Sequence, residues 1–423
     1  MTVPFPANPP AMPPVTTSPS AVSAQTRRSI VLLACATFAS MAIQRICDAM
    51  LPELARIFSV SITQTAQVVS MFAVVYGLAQ LLHGPLGDRY GKFRWVTLAT
   101  LGCSVGSLLS ALASSLDALI VARMLTAFCA AAIIPMSLAW IGDVVPYEQR
   151  QETLALTGVG TTMGMVGGQL LGGLLTDTLG WRWAFVFLTL LYLVVAALLW
   201  RDLGRQKQQP SAASQQLNAV QGLRPSFLKQ ALQILTGRWS RLVLLTALLE
   251  GAAGFGVLAI CAAHLHQTLG LSLTSAGATM ALFGVGGAIY MAFARHLIRR
   301  LGERGLTRIG SAVLGLCFML LGLTAYWQLA LVASLVGGFS FFMMHNTFQA
   351  HATQMAPASR GTAVSLFAAS LFTGQALGVL LAAHLSTLIG SGRVIVLSGV
   401  VLMLLGAAFS KALKRREQLL GQS

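Results

Sequence analysis

Four ionisable side chains stand inside long apolar stretches of the chain, where charge is expensive. They are Arg45, Asp48, Arg123 and Glu250. A charged group that faces lipid costs at least about 2 kcal/mol, so such residues ordinarily face a protein interior or a water-filled cavity. A carboxylate in that setting can take up and release a proton, and a nearby arginine favours its charged form. These four residues are therefore the first candidates for chemistry.

Asp48 has two candidate arginine partners. A rise of about 1.5 Å per residue puts Asp48 roughly 5 Å from the outer end of its apolar run and Arg123 about 9 Å from that end of another, so the two can share a layer. Arg45 lies three residues before Asp48 on the same predicted helix and is the rival partner. We predict that Asp48 is a carboxylate that titrates with protons. The alternative is a permanent ion pair that only holds two helices together.

Glu250 lies about ten residues into a further apolar run and is followed by small residues. It is predicted to be a second proton site or a contact for a cationic substrate, since an unpaired carboxylate at that depth is costly unless it is neutral. The alternative is a protonated side chain that hydrogen-bonds across a closely packed helix interface.

A polar cluster ends another apolar run, "FSFFMMHNTFQAHATQ". His345 and Gln349 fall on one helical face and, with Asn346 beside them, could line a cavity. The alternative, which the sequence supports equally, is that these side chains form hydrogen bonds between helices. The histidines show no grouping with acids or cysteines that is typical of a metal site, so none is predicted.

The composition identifies the elements that must carry these residues. Of the 423 residues 56% are hydrophobic and only 9% are charged, which indicates an integral membrane protein. Apolar runs of about 20 residues are long enough to cross a bilayer as helices, and they do not alternate in polarity as barrel strands do. Twelve spans are predicted, at 29–51, 65–83, 95–115, 118–142, 152–175, 183–200, 241–263, 273–294, 307–326, 328–352, 362–387 and 394–411.

The formal net charge of +16 reports orientation rather than a nucleic-acid partner. Sorted by predicted loop, most of the 28 Lys and Arg residues fall on one side of the membrane, and only Arg56, Arg182 and Arg393 fall on the other. Positive charge collects on the cytoplasmic side of membrane proteins. Both termini are therefore predicted to be cytoplasmic.

The predicted spans divide into two sets of six. We expect a disordered cytoplasmic tail at 1–28, a first half at 29–203, a cytoplasmic linker with a short surface helix at 204–240, a second half at 241–412 and a tail at 413–423. Two matches at nearly one offset indicate duplication of the halves. Gly91 and Gly302 are 211 residues apart in similar loops, and Arg150 and Arg360 are 210 apart.

Three motifs carry a resemblance to a known family. The loop "GPLGDRYGK" matches a pattern close to G-x-L-a-D-R-x-G-R/K through Gly84, Leu86, Asp88, Arg89, Gly91 and Lys92. Arg123 matches an arginine early in the fourth span. A glycine-rich fifth span carries Gly164, Gly168, Gly172 and Gly173, although Gln169 stands where the pattern has proline. Over residues 29–412 the chain resembles the major facilitator superfamily, in particular its twelve-span drug:proton antiporters and sugar-efflux proteins.

The resemblance implies an all-α membrane fold with twelve helices in two pseudo-symmetric halves. Gly84 and Gly91 would let the backbone turn and helices approach, and Asp88 would latch the halves together at the cytoplasmic side when the protein opens outward. In the second half Arg299 replaces that aspartate, so any latch there is lost or altered.

The implied function is proton-coupled efflux of a small amphipathic compound, such as a drug, a toxic metabolite or a sugar-like molecule, by alternating access. The alternative is proton-coupled uptake of a nutrient or organic anion, with Arg45 and Arg123 as anion contacts. The sequence has no phosphate-binding loop, so a proton gradient is the expected energy source and no cofactor is expected. A monomer in the bacterial inner membrane, without enzymatic activity, is the expectation. A membrane enzyme, a lipid flippase and a membrane sensor are the alternatives from other classes.

Overall fold

The computed structural model describes residues 23–145, 147–206 and 227–420, and in those ranges the regular elements are all helices. Six spans form the first half. Their helices are Ala24–Arg45 (span 1), Ile62–Thr65 with Gln67–Tyr90 (span 2), Lys92–Leu112 (span 3), Leu116–Val144 (span 4), Tyr147–Thr178 (span 5) and Trp181–Gln206 (span 6). Span 1 continues after a break as the short helix Leu51–Phe58.

The second half begins with a short surface helix, Phe227–Thr236, inside the predicted linker. Its spans are Arg238–Glu250, a π-helix Gly251–Gly256 and Val257–Leu269 (span 7), the two parts of Leu273–Leu323 (spans 8 and 9), Trp327–Gln354 (span 10), Arg360–Ile389 (span 11) and Ser391–Leu420 (span 12).

Twelve crossings follow from these helices. Within the described ranges ten helices are long and apolar enough to span a membrane. One of them, Leu273–Leu323, has 51 residues and contains Gly302 at φ +61°, where the chain reverses and two spans meet. The 32-residue helix Tyr147–Thr178 is long enough for the twelfth crossing, although its glycine, threonine and glutamine residues make it less apolar.

The helices extend into both of the predicted tails. Span 1 begins at Ala24, inside the segment predicted as a tail, and span 12 continues to Leu420. The predicted tail residues 1–22 and 421–423 and the linker residues 207–226 lie outside the described residues.

The two halves repeat the same helix packing. Span 5 lies against span 1, and span 11 lies against span 7, through glycines that bring the backbones into contact. The equivalent contacts are Gly164 on the carbonyl of Phe38, Gly168 on Ala42, Gly374 on Leu248 and Gly378 on Ala252. Every member of the second pair of contacts stands 210 residues after its counterpart in the first. This repetition confirms the predicted pseudo-symmetry of the halves.

A π-helix accounts for the first change in the offset between the halves. The offset rises from 210 at Ala42 and Ala252 to 211 at the turn glycines Gly91 and Gly302, and it is again 210 at Gly168 and Gly378. The π-helix Gly251–Gly256 of span 7 lies at the first change. A π-turn closes its hydrogen bond one residue later than an α-turn, so it accommodates one additional residue.

The halves meet through span 2 on span 11 and span 5 on span 8. A Cβ atom at Gly77 would lie 2.9 Å from Cβ of Phe372, and one at Gly277 would lie 2.5 Å from the carbonyl oxygen of Gln169. Small residues therefore allow close approach between the halves as well as within them.

The two ends of the bundle are named as follows. The basic end is the one where spans 2 and 3 join and where Lys92 and Arg304 lie, and the other is the opposite end.

Candidate functional site

Asp48 occupies a break in span 1. The first helix ends at Arg45, a run of tight turns follows, and a new helix starts at Leu51 with Pro52 in its first turn. The turns include a hydrogen bond from the amide of Asp48 to the carbonyl of Arg45 at 3.2 Å. Proline has no N–H to continue the first helix but suits a helix start. The break therefore holds the carboxylate between two helical segments near the opposite end.

The Asp48 carboxylate is fully buried and has two polar partners. Arg45 Nη1 lies 3.5 Å from Oδ2, and the Gln169 amide nitrogen donates to the same oxygen at 3.2 Å. The other carboxylate oxygen, Oδ1, has no hydrogen-bond partner among the described residues. Gln169 replaces the proline of the family pattern, so this departure from the pattern supplies a hydrogen-bond donor to the carboxylate.

Of the two candidate arginine partners of Asp48, Arg123 does not bond to it. Its Nη1 donates to the carbonyl of Ile43 at 2.6 Å, and its Cζ lies 4.2 Å from the ring centroid of Phe72. The rival partner, Arg45, holds the carboxylate instead. Helix depth alone could not separate the two, because both arginines lie at a suitable level and only their side-chain directions differ.

Glu250 stands at the last α-helical residue before the π-helix of span 7. Its carboxylate is fully buried, and Oε1 lies 3.0 Å from Nδ1 of His345 on span 10. Its second oxygen, Oε2, has no partner among the described residues. The His345 ring stacks on Phe341 with 5.5 Å between centroids and an interplanar angle of 11°. Two candidates that were predicted separately therefore form one pair.

Phe255 of the π-helix joins the two pairs. The Arg45 guanidinium lies over its ring, with Cζ 4.5 Å from the centroid. The same ring makes an edge contact with His345 at 6.2 Å. A continuous path thus runs from Asp48 through Arg45, Phe255 and His345 to Glu250. It crosses from one half of the molecule to the other, and we call it the buried path.

The remaining cavity candidates are less closely involved. Asn346 is half-buried and lies beside Tyr290, while Gln349 is exposed. His351, which was not a candidate, is buried with Nε2 3.0 Å from Oε2 of Glu303. Glu303 directly follows the turn at Gly302.

The loop motif makes its contacts within the first half. Lys92 Nζ lies 2.5 Å from Oδ2 of Asp143 at the end of span 4 and 3.9 Å from Oδ1 of Asp88. The Asp88 side chain is 53% exposed, and Arg89 lies over the ring of Tyr90 at 5.4 Å. The predicted latch between the halves is therefore not formed by these residues in this conformation.

Only one of the two predicted turn glycines turns the chain. Gly91 has φ +87° and separates spans 2 and 3, as expected. Gly84 lies inside the helix of span 2, and a Cβ there would meet nothing within 4 Å, so it neither turns the chain nor allows a close approach. Gly87 has the packing role instead, against the sulfur of Met136 on span 4.

The glycines of span 5 face two neighbours. Gly164, Gly168 and Gly172 contact backbone carbonyls of span 1, whereas Gly173 contacts the carbonyl of Leu273 on span 8. Each lacks space for a side chain. The motif therefore packs span 5 between its own half and the other half.

A family model described as Major Facilitator Superfamily matches residues 33–370. The chain belongs to the major facilitator superfamily. This finding confirms the resemblance seen in the sequence.

Curated relatives are similar over limited regions. Multidrug export protein EmrB from Haemophilus influenzae is 28% identical over 177 residues, which are 42% of this chain and 35% of that protein. Riboflavin transporter RibZ from Clostridioides difficile is 27% identical over 135 residues, 32% of this chain and 30% of that protein. The matches span about a third of the length of these relatives.

A solved structure shows the same fold over nearly the whole chain. A bacterial homologue of the human lysosomal transporter Spinster, in an inward-facing and unoccupied conformation, superposes with a TM-score of 0.74. The match covers 92% of this chain and 97% of that one at 18% identity. Together with the helices described above, it confirms the all-α membrane fold of this superfamily.

Proposed function

We propose that this protein is a secondary active transporter that exports a small amphipathic compound in exchange for protons by alternating access. The observation that carries the proposal is the buried path from Asp48 to Glu250. Two carboxylates that are both 0% exposed, each with an oxygen lacking a partner among the described residues, lie between the two halves of a transporter fold. Charged groups so placed are characteristic of ion and proton pathways.

Protonation of Asp48 has a direct electrostatic consequence in this geometry. A proton on the carboxylate removes the negative charge that balances Arg45 and that accepts the Gln169 amide hydrogen bond. The arginine is then a buried cation with only the ring of Phe255 and its own remaining contacts. Such a state is costly, so the proton favours an arrangement in which Arg45 finds another partner or solvent.

In the second half, Glu250 can undergo a corresponding change of partner. A cationic group of a substrate could replace His345 as the partner of Glu250, or a proton could take its place. Phe341, Phe342 and Phe367 lie around His345 at centroid distances of 5.5, 6.2 and 6.2 Å and would form an apolar wall for the compound. Aromatic faces with a nearby carboxylate suit an amphipathic cation.

Contacts at the two ends support an inward-facing conformation. At the opposite end Oδ2 of Asp177 accepts hydrogen bonds from the amide and the hydroxyl of Thr274, both at 2.6 Å, which joins span 5 to span 8. At the basic end Asp88 bonds only within its own half among the described residues. The similar Spinster homologue was also solved facing inward.

The setting proposed for this activity follows from the charge and surface. The basic end and both termini would face the cytoplasm of a bacterial inner membrane, according to the positive-inside rule. Large apolar side chains such as Leu112 and Leu323, which are 70% and 71% exposed, would meet lipid. The protein would act as a monomer, with the proton gradient as its energy source and no cofactor.

The alternative is proton-coupled uptake of a nutrient or an organic anion. One observation favours it: Nε and Nη2 of Arg123 are buried and have no partner among the described residues. Both nitrogens could bind an anionic group. The two directions use the same fold, so transport measurements must separate them.

The test uses inside-out vesicles that contain the protein, an imposed pH gradient and a pH-sensitive dye in the lumen. A panel of lipophilic cations, neutral drugs, sugars and aromatic acids is added in turn. We expect at least one amphipathic compound to collapse the gradient. Asp48→Asn and Glu250→Gln should abolish that response. Glu53→Gln, which removes a carboxylate paired with the exposed Arg56 outside the buried path, should leave it intact.

Three outcomes contradict the proposal or its proton route. If radiolabelled compounds cross the membrane while the pH gradient stays unchanged, the protein is not a proton antiporter. If compounds enter right-side-out vesicles together with protons, the protein is an importer. A response that survives both Asp48→Asn and Glu250→Gln would exclude the buried path as the proton route.

A further inference from the structure

Arg45 and Phe255 touch each other at the centre of the molecule. They stand 210 residues apart, and the neighbouring residues Ala42 and Ala252 are equivalent at the same offset. Arg45 and Phe255 are therefore equivalent positions of the two halves, to within the one residue that the π-helix adds. Two positions related by a two-fold axis can be in contact only beside that axis. In this superfamily the axis between the halves runs along the membrane normal, so the Arg45–Phe255 contact lies on the central transport route.

The ring of Phe255 also lies between the two carboxylates in depth. A rise of about 1.5 Å per residue puts Glu250 about 18 Å and Phe255 about 25 Å from the start of span 7 at the basic end. On the same scale Arg45 is about 31 Å from the start of span 1, and Asp48 lies beyond it. From the basic end one therefore meets Glu250 first, then Phe255 with Arg45, and Asp48 last.

The accessible surface near this route lies at the Phe255 ring, which is partly exposed, and on its basic-end side, although the Glu250 carboxylate is itself fully buried. The His345 side chain, next to Glu250, is still 11% accessible. Beyond Phe255 the Arg45 side chain is 2% accessible and that of Asp48 is fully buried. Among these residues, accessible surface is therefore confined to His345 and Phe255 and is nearly absent at Arg45 and Asp48.

We propose that Phe255, with Arg45 on its face, is a central gate that separates Asp48 from the basic end. Glu250 and His345 lie on the basic-end side of the gate, and Asp48 and Gln169 lie behind it. The contact joins span 1 to span 7, so the halves must break it when they rock apart. The gate rests on the proton coupling proposed above, because it determines from which side Asp48 receives its proton.

The gate would prevent a proton leak through the two carboxylates. Protons could pass from one side to the other without substrate if both acids were open to the same space. An aromatic ring fixed by a guanidinium closes that space without adding a titratable group. Arg45 is also the partner of Asp48, so protonation of Asp48 acts directly on the residue that holds the ring.

The test measures proton leak without substrate in proteoliposomes that carry an imposed pH gradient. Phe255→Ala should raise the leak about tenfold over wild type, and adding Asp48→Asn to that variant should return the leak to near the wild-type level. Phe255→Tyr keeps an aromatic face and should behave as wild type. Phe339→Ala is the matched control, because this phenylalanine of the second half is also partly buried, packs its ring against Tyr290 and lies outside the buried path.

A second measurement distinguishes an open gate from poor folding of the variant. Cys47 is buried beside Asp48, so its labelling by a maleimide, located by mass spectrometry, reports access behind the gate. Labelling should be slow in wild type and Phe339→Ala and several-fold faster in Phe255→Ala, with all proteins monodisperse on size exclusion.

The gate is refuted if monodisperse Phe255→Ala leaks no faster and labels no faster at Cys47 than Phe339→Ala. It is also refuted if the leak of Phe255→Ala persists in the double variant with Asp48→Asn. Substrate-driven antiport by the wild type is measured separately. Its absence would refute the coupling proposal, whereas its presence beside a tight Phe255→Ala variant would refute only the gate.

Discussion

Replacing Arg45 with methionine tests whether the arginine and Asp48 act as a buried ion pair. At 3.5 Å, with an effective dielectric constant of about 20, their attraction is about 5 kcal/mol. Removing one partner of a buried pair ordinarily costs about 3 to 5 kcal/mol, because the other charge stays buried. Here the lower figure is expected, since Asp48 keeps the amide of Gln169 and a lone Arg45 would keep the face of Phe255.

A double-mutant cycle measures the pair itself. We expect Arg45→Met and Asp48→Asn each to lower the free energy of unfolding by about 3 kcal/mol. The double variant leaves no uncompensated charge, so its loss should be about 3 kcal/mol smaller than the sum of the two single losses.

The assay is unfolding of the purified protein in mixed micelles by titration with sodium dodecyl sulfate, followed by tryptophan fluorescence. The control is the same cycle at Glu53 and Arg56, a surface pair at 2.6 Å where a coupling of no more than about 1 kcal/mol is expected. If the losses at Arg45 and Asp48 simply add, the residues do not depend on each other and the reasoning about the buried path is wrong at its first step.

The other predictions concern packing, the basic end and the polar ligand of the carboxylate. Gly168→Ala should lower thermal stability by several degrees, because its Cβ would lie 2.5 Å from a carbonyl oxygen of span 1, whereas Gly158→Ala on the same helix should be neutral, since nothing lies within 4 Å. Lys92→Ala should change the free energy of unfolding by less than about 1 kcal/mol, as its pair with Asp143 is partly exposed, and the exchange of the two residues should retain transport. Gln169→Leu should slow proton-coupled transport several-fold in the vesicle assay, while substrate binding measured by fluorescence quenching persists.

The sequence was sufficient for the architecture because each span must satisfy its own backbone in lipid. Long apolar runs and the bias of basic residues gave twelve helices and their grouping into two halves. The weakest signal was span 5, whose glycines lower its hydropathy while serving its packing against span 1. The turn at Gly302 was found by its likeness to Gly91, and both have positive φ.

The sequence was less sufficient for the site because contacts across the bundle depend on side-chain direction. Asp48 and Glu250 were identified because a charged side chain in an apolar run is energetically unfavourable. The connecting residue, Phe255, resembled any other core phenylalanine and gave no signal of its own. Gln169 could have been found by asking why an amide replaces the proline of the pattern. The role predicted for Gly84 was wrong because a pattern match cannot show which glycine turns the chain.

The π-helix of span 7 has a consequence for how this chain can change by insertion or deletion. One additional residue in a helix turns everything after it by about 100°, which would move an entire face from the interior towards lipid. The π-turn at Gly251–Gly256 absorbs that rotation within six residues. Deleting one codon in this stretch should convert the turn to ordinary α-helix and preserve the faces on either side. The same deletion in the regular part of span 7 would misorient the rest of the span. Within span 7, tolerance to single-residue deletion should therefore be concentrated at the π-turn, and a deletion scan across the span would show it as a narrow window.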